Sequence, residues 1–120
     1  MNPASGNESV RAIAQTIVYM QQHYRDKIDM GTLSAMAGLT ASSYSRLFKR
    51  TMRVPPVKYL TQLRIERAKR LLLMHGAPVK EVSAAVGFGD EFYFSRIFRR
   101  LVGVAPSHYG KRSKGGIEGS

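Results

Sequence analysis

The chain has 120 residues, of which 43% are hydrophobic, a length and an apolar content that suit one domain with a small packed core. It contains no cysteine, which excludes disulfides, thiolate metal sites and cysteine nucleophiles. No apolar run approaches the roughly 20 residues of a membrane span, and no signal-peptide pattern follows Met1. We therefore expect a soluble, cytoplasmic protein without a membrane partner.

The charge is strongly basic and unevenly distributed. Nineteen Lys and Arg residues against eight Asp and Glu residues give a net charge of +11. Three basic and three acidic residues precede Arg46, which leaves sixteen basic residues against five acidic ones from Arg46 onward. Such an excess attracts polyanions and implies counterion release on nucleic-acid binding. A solubilising surface would carry the same charge, so charge alone leaves both interpretations open.

Apolar residues recur with a helical period along nearly the whole chain, and two-residue alternation never persists, so the sequence predicts an all-α fold without strands. Residues 1–9 predict a flexible lead-in, and residues 112–120 predict a disordered tail. Caps and breakers place seven helices. They run over about Glu8–Tyr24, Met30–Ala37, Thr40–Met52, Pro56–Met74, Pro78–Val86, Asp90–Val102 and Pro106–Tyr109. Thr40 is expected to cap the third helix, and either Asp90 or Glu91 begins the sixth, with Asp90 the candidate N-cap.

The chain repeats itself at a spacing of fifty residues, and this repeat carries the functional interpretation. Tyr44–Arg50 matches Phe94–Arg100, and Gly38-Leu39 matches Gly87-Phe88 at a spacing of forty-nine. Further downstream Val54, Pro56 and Tyr59 match Val104, Pro106 and Tyr109. The second copy therefore has one additional residue in its turn, where insertions are best tolerated.

Each copy consists of a short helix, a turn with glycine and a hydrophobic residue, and a longer basic helix. This is the layout of a helix-turn-helix, whose second helix enters the major groove of DNA. The sequence thus predicts one domain over residues 10–111. In it, helix-turn-helix units over residues 30–52 and 78–102 are joined by a long linking helix over residues 57–74.

The outer faces of the two longer helices share one order of hydroxyl, arginine and basic side chains. With the aromatic residues buried, helical spacing leaves Ser42, Ser45, Arg46 and Lys49 outside in the first copy, and Glu91 or Phe92, Ser95, Arg96 and Arg99 in the second. Small hydroxyl groups allow close approach to base edges, and arginine binds guanine O6 and N7 bidentately. Basic residues nearer the helix ends, Lys49, Arg50, Arg99 and Arg100, suit phosphates. Solvated amphipathic faces are the alternative, which the recurrence of the order disfavours.

Residues from Val10 to Lys111 resemble the DNA-binding domain of AraC/XylS-type transcription regulators. The most specific stretch is Gly87–Arg100, which is followed by Gly103, Pro106 and Tyr109. The linking-helix pattern is carried by Tyr59-Leu60, Arg64, Ala68 and Leu71-Leu72. The resemblance implies seven helices in two subdomains that read two successive major-groove segments.

The resemblance also implies roles for individual residues. Positions that contact bases match Ser42, Ser45, Arg46, Glu91, Phe92, Ser95 and Arg96. Phosphate contacts are expected from Thr40, Lys49, Arg50, Arg53, Arg99 and Arg100. Two positions depart from the family pattern: Arg53 stands where glycine is usual, and Phe92 where a small polar residue is usual. Phe92 either contacts a thymine methyl group or packs inward.

Such a domain commonly follows an effector-binding or dimerisation domain, so we expect the C-terminal part of a larger regulator whose effector, if any, binds outside this chain; a standalone protein stays an alternative. RNA polymerase is a further candidate partner of the second unit. A non-specific architectural protein and a protein-interaction module also stay open, the latter because of the aromatic pair Phe92 and Tyr93.

No catalytic, cofactor or metal site is expected. His23, His75 and His108 share no metal-ligand spacing, and Asp90-Glu91 has no partner in a recognisable triad relation. We therefore expect a protein that is not an enzyme.

Overall fold

A computed structural model describes the backbone of residues 3–110 and, apart from that of His75, the side chains of residues 8–110. Within residues 3–110 there are seven helices and no strand, which confirms the predicted all-α fold. They are α1 (Pro3–His23), α2 (Met30–Met36), α3 (Ala41–Met52), α4 (Pro56–His75), α5 (Val79–Ala85), α6 (Glu91–Val102) and α7 (residues 106–110).

The start of α1 is the main difference from the sequence prediction. The helix begins at Pro3, not at Glu8, so residues 3–9 of the predicted lead-in are helical. Pro3 occupies the first helical position, where the fixed φ of proline suits a helix and its missing N–H costs nothing. The predicted tail over residues 112–120 lies outside the described residues.

The chain divides into two compact units, Met1–Thr61 (unit 1) and Gln62–Ser120 (unit 2), with the boundary inside α4. Unit 1 contains α2 and α3, and unit 2 contains α5 and α6. Each unit therefore holds one of the two predicted helix-turn-helix pairs. In both pairs the turn glycine has a positive φ, 70° at Gly38 and 99° at Gly87, a conformation that residues with a Cβ resist.

In unit 1, α1 packs against α2 and α3 around a core in which Ile13, Met20, Leu33, Tyr44 and Phe48 are almost completely buried. A buried polar chain links α3 to α1. The Tyr44 hydroxyl donates to Thr16 Oγ1 at 2.8 Å, and Thr16 Oγ1 donates to the Ile13 carbonyl at 2.8 Å. Both buried hydroxyl protons are thus hydrogen-bonded, so these two hydrogen bonds stabilise the packing of α3 against α1 and leave no unpaired donor.

The core of unit 2 contains a series of aromatic rings that pack on one another. Phe94 lies 5.1 Å from Phe88 and 5.7 Å from Phe98 between ring centroids, and Phe98 meets Tyr109 of α7 edge-on at 5.5 Å. The last contact repeats one in unit 1, where Phe48 meets Tyr59 edge-on at 5.7 Å. The sequence repeat is therefore also a repeat of core contacts.

Side-chain caps fix where both longer helices begin. Thr40 Oγ1 accepts from the Ser43 N–H at 3.2 Å before α3. Asp90 Oδ1 accepts from the Phe92 and Tyr93 N–H groups at 2.8 and 3.3 Å before α6. Asp90 is thus the N-cap and Glu91 the first residue of α6, which decides between the two predicted starts.

The C-caps of α3 and α6 have the same geometry but different residues. Arg53 has φ 70° and donates its N–H to the Lys49 carbonyl at 2.8 Å. Gly103 has φ 101° and donates to the Arg99 carbonyl at 2.8 Å. Among the described residues Arg53 is the only one with a side chain and a positive φ. This left-handed conformation costs a residue with a Cβ about 1 kcal/mol or more, whereas glycine adopts it freely.

Replacing Arg53 with glycine should therefore raise the free energy of unfolding by about 1 kcal/mol, part of the gain being offset by the greater freedom of glycine in the unfolded chain. Gly103→Arg should lower the free energy of unfolding by a similar amount. No atom lies within 4 Å of a Cβ added at Gly103, so the effect comes from backbone strain and not from a steric clash. Urea unfolding of both variants measures this. Arg53→Lys is the control, and equal stabilities of Arg53→Gly and Arg53→Lys would contradict the strain.

The second stability prediction concerns the buried Tyr44 hydroxyl. Burial raises the pKa of Tyr44. Because the folded-state pKa lies above the unfolded value of about 10, this group's contribution is fully present below about pH 10 and is lost as the pH rises towards the folded-state pKa.

Tyr44→Phe should cost about 1 kcal/mol near neutral pH, the net value of a typical hydrogen bond. The difference from the unmodified chain should shrink above about pH 10. Urea unfolding at a series of pH values measures both effects. A difference that stays constant from neutral to strongly alkaline pH would show that Tyr44 does not titrate as its burial requires.

Candidate nucleic-acid interface

The outer face of α3 is polar because the opposite face is held by two buried rings. Tyr44 and Phe48 have no exposed surface, so the helical period places Ser42, Arg46 and Lys49 outside, and all three are exposed. Arg50 is also exposed, and Ser45 is half-buried. The structure thus brings the five predicted side chains of α3 to the solvent side of one helix.

The outer face of α6 repeats this arrangement position by position. Phe94 and Phe98 are fully buried, Arg96, Arg99 and Arg100 are exposed, and Ser95 is half-buried like Ser45. The two faces differ in the first turn. There α6 has the half-buried Glu91 and the exposed Phe92 and Tyr93, where α3 has Ala41, Ser42 and Ser43.

Phe92 points to solvent. Among the large hydrophobic residues that the structure describes, Phe92 has the highest exposed fraction, 81%. Of the two orientations considered from the sequence, inward packing is therefore wrong. Helical geometry explains this, because Phe94 and Phe98 face the core and position 92 lies about 160° around the helix from position 94.

The basic side chains at the helix ends carry uncompensated charge. In the described part of the chain, Lys69 and Glu66 form an ion pair at 3.3 Å, and His23 Nδ1 lies 3.5 Å from Asp26 Oδ2; neither contact involves α3 or α6. No acidic residue lies in the first turn of α3, and Glu91 is the one in α6. Lys49, Arg50, Arg99 and Arg100 in the last turns are therefore available to a polyanion, besides their favourable interaction with the helix dipole.

Two further predicted phosphate contacts lie at the ends of α3. Thr40 is exposed, and its Oγ1 accepts the capping hydrogen bond, which leaves the hydroxyl proton able to donate. Arg53 is exposed at the C-cap. Both ends of the helix therefore present a donor on the same element as Arg46.

Sequence reasoning missed a set of ring and guanidinium contacts in unit 2. The Arg96 guanidinium carbon lies 5.9 Å from the Tyr93 ring centroid, and the Tyr93 and Phe88 centroids are 6.0 Å apart. The Arg64 guanidinium carbon lies 5.9 Å from the Phe88 centroid, and burial lowers the pKa of Arg64, which still leaves this group cationic at neutral pH. The spacing of three residues between Tyr93 and Arg96 was a usable signal. The contact between Arg64 and Phe88 joins residues of separate elements, and the sequence contains no signal that predicts it.

The residues that the structure describes contain no cluster of metal ligands and no membrane-spanning helix. Within them, no group of three or more His, Cys, Asp or Glu residues is arranged to hold a metal ion. A search of the same residues finds no helix long and apolar enough to cross a membrane. A groove of about 390 Å³ in unit 2 is lined by Leu72, Gly76, Ala77, Pro78, Val79, Pro106, Ser107 and Gly110, and none of these side chains is charged.

Comparison with known proteins gives consistent matches. Residues 33–112 match a protein family described as a helix-turn-helix domain. The chain is 39% identical over 103 residues to the HTH-type transcriptional activator Btr of Bacillus subtilis, a match covering 86% of this chain and 20% of that protein. It is 30% identical over 98 residues to the arabinose operon regulatory protein of Escherichia coli, covering 81% of this chain and 34% of that protein.

Solved structures agree with these relatives. The DNA-binding domain of AdpA, a global transcriptional factor crystallised with a target DNA, superposes with a TM-score of 0.80 at 27% identity, covering 83% of this chain and 90% of that one. The chain spans 20% and 34% of the lengths of the two curated relatives above, so the similarity concerns one part of those longer proteins.

Proposed function

This chain belongs to the AraC-type helix-turn-helix family of DNA-binding transcription regulators, and we propose that it reads double-stranded DNA through the outer faces of α3 and α6. The two helices enter successive major-groove segments and thereby direct a regulator to specific sites. The observation that carries the proposal is the repeated, exposed order of hydroxyl, arginine and basic side chains, opposite two fully buried rings in each helix.

Base readout in the first unit rests on Ser42, Ser45 and Arg46. The exposed Arg46 is the side chain on α3 that can bind guanine O6 and N7 bidentately. Ser42 and Ser45 lie one turn and one residue before it, and their small size permits the helix to approach the base edges. Unit 1 therefore reads through hydrogen bonds alone.

Base readout in the second unit is assigned to Glu91, Phe92, Ser95 and Arg96. The chemistry here is mixed, because Phe92 is exposed and offers an apolar contact that suits the methyl group of thymine. Glu91 can accept from cytosine N4, and Arg96 can bind guanine. Unit 2 is thus expected to favour a different base sequence from unit 1.

Contacts to the DNA backbone are assigned to Thr40, Lys49, Arg50, Arg53, Arg99 and Arg100. Lys49 and Arg99 stand one helical turn beyond the base-reading positions, where the groove wall of phosphates lies. Each phosphate neutralised adds to affinity and to its dependence on salt, without adding sequence preference.

In this proposal the chain is the DNA-binding part of a cytoplasmic bacterial regulator of greater length. The curated relatives are longer than the matched segment, and effector binding is assigned to the additional length. The family consists of transcription regulators, and no catalytic role is proposed for any residue.

A second candidate function applies to unit 2 only. Phe92 and Tyr93, which are 81% and 44% exposed, form an aromatic surface that also suits a protein partner such as RNA polymerase. In that case α6 anchors on phosphates through Arg99 and Arg100 and presents its first turn to the protein.

Selection of binding sites from a random duplex pool at about 150 mM salt, where non-specific affinity is suppressed, tests these alternatives. We expect two short motifs separated by about one helical turn, ~10 base pairs. A single motif would favour the second candidate function for unit 2. Binding without any enriched motif, but with a steep salt dependence, would contradict sequence-specific readout and favour a non-specific architectural role.

Arg46→Ala tests direct readout in unit 1. It should weaken binding to the selected site by about 1–3 kcal/mol and relax the preference at one base pair, because a bidentate contact to guanine is lost. Titrations with the selected duplex and with duplexes altered at that pair measure both effects. An equal loss on selected and random DNA would refute the base contact.

Lys49→Ala is the matched control on the same helix. It should weaken binding to every duplex by a similar factor and lower the slope of log affinity against log salt by about one. An unchanged slope would remove Lys49 from the backbone contacts.

A further inference from the structure

The two recognition helices differ in what surrounds their arginine. In α6 the Arg96 guanidinium carbon lies 5.9 Å from the Tyr93 ring centroid, within the range of a cation–π contact. Fifty residues earlier, the position of Tyr93 is occupied by Ser43, which has no ring. Arg46 therefore lacks this support, although it occupies the same place on its helix.

The Tyr93 ring is itself packed against a ring of the core. Its centroid lies 6.0 Å from that of Phe88, whose side chain is 8% exposed and contacts the fully buried Phe94 at 5.1 Å. The Arg64 guanidinium carbon lies 5.9 Å from the same Phe88 ring. Tyr93 is thus packed against a ring of the core, while it is 44% exposed and has the Arg96 guanidinium over its own ring.

We propose that Tyr93 is a positioning residue, which orders the Arg96 guanidinium on α6 before DNA binds and so sharpens the base preference of unit 2. The proposal rests on the function proposed above for Arg96. An arginine that is already ordered loses less rotamer freedom when it binds, so more of its contact energy appears as affinity. A duplex that excludes water from the helix also strengthens the contact between the cation and the ring.

This arrangement makes the two units unequal readers. Among the described residues no ring lies against Arg46, so it must be ordered by the base that it binds, whereas Arg96 presents its donors in a direction set by the protein. A wrong base opposite Arg96 therefore cannot be accommodated by simply turning the side chain away without breaking its contact with Tyr93. Discrimination at the base pair read by Arg96 is expected to depend on the ring.

Three substitutions of Tyr93 separate its properties. Tyr93→Ser installs the residue that unit 1 has at this position, Tyr93→Phe keeps the ring without the hydroxyl, and Tyr93→Leu keeps apolar packing on Phe88 without a π face. Affinity is measured for the selected duplex and for duplexes altered at the pair assigned to Arg96. Tyr93→Ser and Tyr93→Leu should reduce discrimination by about two- to fivefold, the range of an exposed cation–π contact. Tyr93→Phe should retain it.

The free protein provides a readout that does not depend on DNA. The ¹⁵N relaxation of the Arg96 side-chain Nε should show an ordered group in the unmodified chain and in Tyr93→Phe, and a more mobile one in Tyr93→Ser and Tyr93→Leu. The Arg46 Nε should stay unchanged in all of them. Circular dichroism and thermal unfolding of each variant show whether α6 is retained.

The outcomes are distinguishable from failure of the proposed function. In an Arg96→Ala background, Tyr93→Ser should have no further effect on discrimination; a remaining effect would mean that Tyr93 acts by another route. If Arg96→Ala lowers discrimination and Tyr93→Ser does not, or if the Arg96 Nε is equally mobile in all variants, the positioning role is wrong while readout by Arg96 stands. If Arg96→Ala itself leaves discrimination unchanged, Arg96 reads no base, and the proposal falls with that part of the proposed function.

Discussion

The burial of two aromatic rings on the inner face of each recognition helix is the constraint on which the rest of the structure depends. Tyr44 and Phe48 in α3, and Phe94 and Phe98 in α6, are four residues apart and fully buried. Two buried anchors at this spacing fix the rotation of a helix, because a turn of one residue would expose a ring and bury a charge. The outward direction of Arg46 and Arg96 follows from this packing.

The two units reach the same helix rotation through different attachments. In unit 1 the inner ring ends in a hydroxyl, and the chain from Tyr44 through Thr16 to the Ile13 carbonyl ties α3 to α1. In unit 2 the residue equivalent to Tyr44 is Phe94, which packs against Phe88. The Phe88 ring also contacts Arg64 and Tyr93. A shared backbone arrangement therefore supports two outer surfaces of different chemistry, one of hydroxyl groups and one with aromatic rings.

The C-caps show how far the repeat constrains individual residues. Arg53 and Gly103 donate the same backbone hydrogen bond with a left-handed φ, although this conformation disfavours a residue with a Cβ. Both helices thus end with the same backbone geometry, whichever side chain stands at the C-cap. An exposed arginine here adds a positive charge at the end of α3, at the expense of stability that glycine would retain.

The sequence by itself determined the seven helices, the repeat, the caps at Thr40 and Asp90 and the polar outer faces, because periodicity, capping and turn glycines are local properties that adjacent residues decide. It misplaced the start of α1, since Pro3 and Gly6 interrupt helices as readily as they are tolerated near a first turn. Only the tertiary structure decided that Phe92 faces solvent, that the Arg96 guanidinium lies over the Tyr93 ring and that Arg64 lies against Phe88. The spacing of three residues allows Tyr93 and Arg96 to meet, but a local pattern specifies neither their rotamers nor the packing of Arg64 on Phe88 from a separate element.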